Sequence, residues 1–421
     1  MPEDRNFTIR HPYEGLVTKV SPESADVKNT LFHAVNVEGR IRRGTSTFGS
    51  RDKLEGASSN IYVEPTAPQF WAIGGSVIVI NDSAIVATYT EAVDPEEPVV
   101  VDVEEPDLYY RDRKVKKSEN LTFFSRVHDY DDYDIGATME DASRANAIQV
   151  FESPEISGTV TCVIPFNDRA CWIFTERSLW LLTGDPINAN LQLKSYDVGT
   201  FSQQSADVTD VGEVYFLSRD GLCSCGLEGR VNWVSEETIP DSFASTDGLV
   251  AFDDLRQKVY AFTASFSCQL DIRNKAFWEL DVTPLPVQRT KSDDGEVILV
   301  SSDGTPMQFV RGEICETTWS VIFGPYSIAQ NFRTAVLHEV QASLSGGTCN
   351  FEPITDRNPG ACLTKAKAFL GSTGRYSATA DFNHVRRPRL RGAWFCLVLQ
   401  GTGQFEMERF TVMSTMTGRL R

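Results

Sequence analysis

The stretch RACWIFTERSLWLLTGDP, residues 169–186, decides how the chain is read. Trp172 and Phe174 alternate with Cys171 and Ile173, and Trp180 and Leu182 alternate with Leu179 and Leu181, so both phases of a period-2 pattern are apolar. The polar corner Thr175-Glu176-Arg177-Ser178 separates the two runs. This spacing predicts a hairpin whose sheet is covered on both faces, packed between two other sheets.

Similar units follow along the chain. EVYFLS (213–218), the turn Ser218-Arg219-Asp220-Gly221, LCSC (222–225) and RVNWVS (230–235) read as one meander. LVAFDD (249–254), KVYAFTA (258–264), SFSCQLDI (265–272) and AFWELDV (276–282) read as the next. A further unit holds EVILVS (296–301), the Ser302-Asp303-Gly304 turn, TPMQFV (305–310) and ETTWSV (316–321). Trp233, Trp278 and Trp319 close these units at spacings of 45 and 41 residues. Residues 161–197 supply a unit around the opening hairpin, 70–90 supply another with Asn81-Asp82 at its turn, and LTFFSRV (121–127) belongs to a sixth. A four-strand repeat of roughly 40 to 50 residues is the signature of a propeller blade. A blade that is apolar on both faces is stable only between neighbours, and a closed ring leaves none uncovered. The tryptophans are therefore expected to be core residues rather than a stacking platform for sugars or bases.

The fold expected is all-β: a β-propeller of about five to six blades, one of them interrupted by an acidic and basic insertion, with a C-terminal β-sandwich of jelly-roll type. Residues 1–45 are expected as a strand or arm leading into the propeller, 46–322 as the propeller with its insertion at about 91–120, and 323–421 as the sandwich. In the last segment the tryptophan-closed units stop. TAVLHEVQASL (334–344), CNFEPI (349–354), YSATADF (376–382), AWFCLVLQ (393–400) and FEMERFTVMS (405–414) read as its strands.

A net charge of −18 over 421 residues repels phosphate backbones and anionic membrane surfaces, which argues against a high-affinity DNA reader. The nine cysteines, Cys162, Cys171, Cys223, Cys225, Cys268, Cys315, Cys349, Cys362 and Cys396, sit mostly inside apolar runs and are expected as small buried hydrophobes in a reducing compartment. The start, MPEDRNFTIR, shows no signal pattern, and the longest apolar runs fall short of the ~20 residues of a spanning helix. Export by a standard signal and a membrane location are not expected, and the Asn-x-Ser/Thr matches at Asn6, Asn81 and Asn120 are read as chance.

Charge is unevenly placed. Residues 91–107 carry eight acids and no bases, and RDRKVKK follows at 111–117. The reading is either a solvated loop or an arm meeting a neighbouring subunit, acid against base, with Glu96, Glu97, Glu104 and Glu105 facing Arg113, Lys114, Lys116 and Lys117. Arg386, Arg387, Arg389 and Arg391 form a second basic cluster, read as a docking patch for another copy or as a solvated strand edge.

Catalytic constellations are scarce. His338-Glu339 lacks the second histidine of a zinc-protease helix, Cys223-Ser224-Cys225 lacks a second pair, and no nucleophile elbow, Walker loop or dinucleotide glycine motif occurs. The lone GTGQF at 401–405 reads as a hairpin turn. No catalytic, cofactor or metal residues are expected. In HDYDDYDIG (128–136), Asp129, Asp131, Asp132 and Asp134 could hold Ca²⁺ if the loop curls, but the later Gly and Glu of an EF-hand are missing, and an Asp-rich turn is the simpler reading. Paired carboxylates for glycoside hydrolysis are not marked by any specific pair.

Five stretches taken in order, AVNVEGRIRRG (34–44), FFSRVHDYDDYDIG (123–136), FNDRACWIFTERSLWLLTGDP (166–186), VYFLSRDGL (214–222) and RLRGAWFCLVLQGTGQFEMERFTV (389–412), resemble the tail nozzle or stabilisation protein family of short-tailed bacteriophages, also called tail tubular protein B-like. The resemblance implies a virion structural protein without enzymatic activity, assembled in the host cytoplasm as a ring of six copies below the portal and adaptor. It implies a place in the DNA exit channel and contacts to fibres or a needle. The length and the charged insertion depart from that family, which leaves the fibre and needle contacts open. An acidic wall would let DNA slide without binding, with the basic patches turned toward neighbouring subunits. The alternatives are a carbohydrate-binding or carbohydrate-active propeller, with facing carboxylates and an aromatic floor, and a cellular scaffold.

Overall fold

A computed structural model describes residues 107–136, 141–153, 156–236, 239, 243, 247–273, 275–282, 284–291, 297–301, 306–309, 318–329, 333–345, 348–372, 374, 376–379, 383–402 and 406–419, together with the strands between 4 and 90. The chain is nearly all β, in several antiparallel sheets. It divides into two compact units, one of residues 52–267 and 282–308, the other of residues 1–51, 268–281 and 309–421. The bounds expected at 45 and 322 are not those of this division. The N-terminal arm joins the C-terminal unit, because Asp4–Arg10 pairs with Glu406–Arg419 and Leu31–Val35 pairs with Thr318–Ser327.

The first unit is a succession of antiparallel meanders. Four-stranded sheets span 62–90, 108–149, 160–195 and 206–233. A hairpin of Gly248–Asp253 and Lys258–Thr263 follows, then a sheet of Pro286–Lys291, Val297–Ser301 and Pro306–Phe309 whose fourth strand is Arg51–Lys53.

The opening hairpin behaves as its composition dictates. Ala170–Thr175 pairs with Leu179–Thr183, Trp172 opposite Leu181 and Ile173 opposite Trp180. Its alternate residues enter different cores. Trp172, Phe174, Leu179 and Leu181 pack with Phe216, Cys223 and Cys225 of the 206–233 meander, and the Phe174 and Phe216 rings meet edge to face at 5.0 Å. Cys171, Ile173, Trp180 and Leu182 pack with Tyr110, Val115 and Phe124 of the 108–149 meander. Burial of each large side chain stabilises by about 1.5–3 kcal/mol, so a sheet with two apolar faces is held by a neighbour on each side.

The turns carry their own chemistry. At the corner, Thr175 Oγ1 accepts from the amides of Arg177 at 3.2 Å and Ser178 at 2.9 Å. In the next meander Gly221 has φ +116°, and a Cβ there would lie 2.3 Å from Ser235 Oγ.

The first strands of successive meanders touch in chain order: Leu108–Tyr110 with Val160–Phe166, Val160–Phe166 with Ala206–Val208, Ala206–Val208 with Gly248–Asp253, and Gly248–Asp253 with Pro286–Lys291. Side chains tie these strands together. The Gln203 amide donates to the Val163 carbonyl at 2.7 Å and accepts from the Val163 amide at 3.0 Å, and Asp207 accepts from the Phe252 amide at 2.8 Å.

In the second unit one sheet has the order Val37–Arg40, Gly44–Thr47, Glu406–Arg419, Arg333–Ser345, Asn383–Arg386. The other includes Ala276–Glu279, Leu31–Val35, Thr318–Ser327, Trp394–Thr402, Thr348–Asp356 and Tyr376–Thr379 in that order. Val321, Phe323, Phe395, Leu397 and Leu399 share one core with Leu337, Val340 and Val412 of the first sheet. Their alternate neighbours Ile322, Cys396 and Val398 face the other way, against a helix, Pro359–Phe369.

That 11-residue helix was not expected from the sequence. Asn358 caps it by accepting from the Ala361 amide at 2.6 Å, and Pro359 occupies its first turn. The tryptophan spacing also misleads. Trp278 and Trp319 both lie in the core of this second unit, whereas Trp233 is 38% exposed at the end of a meander in the first.

Candidate functional site

The 108–149 meander has one apolar face and one polar face. In Arg113–Ser118, Arg113 and Val115 point inward, while Lys114 and Lys116 point outward beside Tyr109. The loop after Leu121–Phe124 folds back over this outer face. Its backbone is set by bonds from the Ser125 amide to the Lys114 carbonyl at 2.9 Å, from the His128 amide to the Asp112 carbonyl at 3.0 Å, and from the Val127 amide to the Ser143 carbonyl at 3.0 Å.

Arg113 anchors that loop from beneath. Its guanidinium is wholly buried and donates to the carbonyls of Ser125 at 2.8 Å, Arg144 at 2.5 Å and Ala142 at 3.2 Å, with Asp185 at 3.7 Å. Arg126 pairs with Asp141 at 2.8 Å and lies 3.8 Å from Asp132. The hydroxyl and amide of Ser143, aided by Arg126, hold the Asp141 carboxyl below its usual range.

The result is an aromatic and charged surface built from two segments. The Tyr109 and Tyr130 rings meet edge to face at 5.0 Å and remain 37% and 39% exposed. Lys114 Nζ lies 2.7 Å from the Asp107 carboxylate, and that hydrogen bond raises the lysine pKa. Lys116 Nζ stands 4.4 Å from the centre of the Tyr133 ring. Burial, then the charges of Asp107 and Asp131, pushes the Tyr133 phenol up to about 12, and burial with Asp107 raises Tyr109 as well. Both phenols therefore stay protonated donors at neutral pH. The Tyr133 hydroxyl and Arg144 Nη1 are buried without a hydrogen-bond partner.

The residues expected to act together are dispersed. Arg113 is buried, Lys114 is paired with Asp107, Lys116 lies over Tyr133, and Lys117 Nζ donates to the Thr161 carbonyl at 2.7 Å. These four cations are engaged within the chain. Glu96, Glu97, Glu104 and Glu105 lie outside the described residues. Arg387 pairs with Glu339 at 3.3 Å, Arg391 donates to Thr334 Oγ1 at 3.1 Å, and Arg389 is exposed. The backbone of Arg386 pairs with Val340.

In the Asp-rich loop, Asp132 and Asp134 accept from the amides of Asp134 at 2.9 Å and Gly136 at 2.8 Å, the geometry of Asp turns. No cluster of three metal-ligating side chains occurs among the described residues. Sequence reading missed the Tyr109–Tyr130 contact; its signal was the tyrosine pair of the short strand Leu108–Tyr110, of which Tyr109 takes the outer face, together with the Asp-Tyr repeat at 129–134.

The first strands of the meanders carry one further charged group. Arg289 lies 3.3 Å from Asp207, whose second oxygen accepts from the Val208 amide at 2.9 Å. Both oxygens of Asp207 are thus occupied, unlike a carboxylate poised for acid–base work.

No family model matches the chain, and no curated protein matches it. Solved structures that align with it include the extracellular domain of a B. thetaiotaomicron protein described as a one-component system, at 13% identity over 74% of this chain and 44% of that chain, with a TM-score of 0.32. Another is the extracellular domain of a B. thetaiotaomicron hybrid two-component system, at 11% identity over 71% of this chain and 51% of that chain, with a TM-score of 0.33. The chain spans about half the length of these proteins. The tail-nozzle resemblance is corrected on these findings: no tail family and no curated tail protein matches the chain, and the structures that align with it are described as extracellular domains of one-component and hybrid two-component systems. With it fall the six-copy ring, the portal and adaptor neighbours, the fibre or needle contacts, the DNA channel, the virion location and assembly in a host cytoplasm.

Proposed function

We propose that this chain is a recognition protein without enzymatic activity, whose unit of residues 52–267 and 282–308 is a β-propeller and whose other unit is a β-sandwich. The propeller reading is supported by successive meanders whose first strands touch in chain order and by a last sheet completed by an N-terminal strand. The sandwich reading is supported by two sheets sharing one core.

The ligand class is a neutral, polyhydroxylated molecule, a carbohydrate. The observation that carries this is the exposed Tyr109–Tyr130 pair beside the Lys114–Asp107 ion pair. Exposed aromatic faces stack on the apolar faces of sugar rings, and the flanking donors and acceptors suit hydroxyl groups. The pairing of lysine with carboxylate cancels local charge, and the exposed Asp129 and Asp131 repel anions. Buried thiols fit a protein without nucleophilic catalysis: burial pushes Cys225 up to about 11 and Cys223 to about 12, holding both protonated at neutral pH.

The test is a glycan array followed by calorimetric titration of the best neutral oligosaccharide. Tyr109→Ala and Tyr130→Ala should each weaken binding about tenfold or more, in line with 1–3 kcal/mol per stacked ring. Unchanged affinity in both variants, or no neutral oligosaccharide bound by the wild type, would overturn the reading.

A further inference from the structure

We infer that Cys362 and Cys396 form a disulfide when the chain folds under oxidising conditions, fastening the Pro359–Phe369 helix to the sheet it covers. Cys362 lies on the inner side of the helix and Cys396 on the Trp394–Thr402 strand beneath it. Both are fully buried in one small cluster with Ile322, Ala366 and Val398. Both are free thiols in hydrogen-bonding contact with each other, and Cys362 Sγ also lies 3.6 Å from the Ile354 carbonyl, to which it donates.

Thiol contact together with burial raises the Cys396 pKa well above its ordinary value, so the closed, reduced protein resists oxidation. The bond must form before the helix docks or while it is lifted. With oxidised glutathione as the oxidant, the Cys362 thiolate attacks one glutathione sulfur and releases the first glutathione thiolate. The Cys396 thiolate then attacks the Cys362 sulfur of the mixed disulfide and releases the second. Two electrons pass from the protein to glutathione, and the two cysteine protons end on the two glutathione thiols.

The cross-link closes a 34-residue span, between positions 362 and 396. Loops of that size restrict the unfolded chain enough to raise the melting temperature by roughly 5–10 °C in a domain of this size. The experiment refolds the full chain either in a glutathione redox buffer or in dithiothreitol, alkylates free thiols, and maps peptides by mass spectrometry. A 362–396 cross-linked peptide in the oxidised sample, with an upward melting shift that dithiothreitol abolishes, is the expected result. Cys362→Ala and Cys396→Ala should each remove that shift. Recovery of both cysteines alkylated after oxidative refolding, or their pairing with other cysteines, would overturn the inference; neither outcome needs a variant to fold.

Discussion

Arg289 reaches from Pro286–Lys291 to Asp207 on Ala206–Val208, with its Nε 3.3 Å from the carboxylate and its Nη1 2.8 Å from the Gln204 carbonyl. The same Asp207 accepts from the Phe252 amide at 2.8 Å, so one ion pair joins three successive first strands. Removing one partner of a mostly buried pair strands the other charge. Asp207→Ala should cost about 3–5 kcal/mol in urea unfolding followed by tryptophan fluorescence. A loss under about 1 kcal/mol would mean that the pair does not tie the strands.

Arg113 holds its loop by geometry as well as charge. Lysine cannot reproduce a planar fork that donates to Ser125, Arg144 and Ala142 at once. Arg113→Lys should cost about 2–4 kcal/mol and expose 125–144 to limited proteolysis. Wild-type resistance to protease in the variant would contradict the anchoring role.

Tyr133→Phe separates binding from stability. The hydroxyl it removes is buried without a partner, so the melting point should hold or rise, by up to about 1 kcal/mol of stability. Affinity for the neutral oligosaccharide should stay within about twofold, because a buried hydroxyl offers nothing to a ligand. Calorimetry and thermal melts on the same sample read both; a loss of affinity of about tenfold or greater would contradict the burial of that hydroxyl.

The buried thiols set an alkaline limit. Burial pushes Cys225 up to about 11 and Cys349 to about 12, against 9.0 for an exposed thiol. Their folded values lie above their unfolded ones, so this part of the stability is complete below pH 9.0 and is lost as pH rises through about 11 to 12. Melting temperature should be level from pH 7 to 9 and fall beyond. Native protein at pH 8 should react with a thiol reagent far more slowly than protein in urea, and equal rates would contradict the burial.

What the sequence revealed and what it hid have physical causes. The 170–183 hairpin was legible because both phases of its period are apolar, and each phase does enter a separate core. The turn motifs behind the phage resemblance are the chemistry any tight meander needs, such as Gly221 at φ +116°, and they do not report a family. The 359–369 helix was hidden because only Pro359, Cys362 and Ala366 are buried, too thin a stripe to read, although Asn358-Pro359 was a start signal. Arg113 was masked by the bases around it. Its place two residues before Val115, on the same strand face, was the available clue.

The proposed propeller requires the first strands of the unit of residues 52–267 and 282–308 to gather around one axis. An electron-density map of the full chain tests this directly. The expected result is Leu108–Tyr110, Val160–Phe166, Ala206–Val208, Gly248–Asp253 and Pro286–Lys291 ringed in that order, with Arg289 joined to Asp207. Sheets stacked in open layers, with those strands at outer edges, would contradict it.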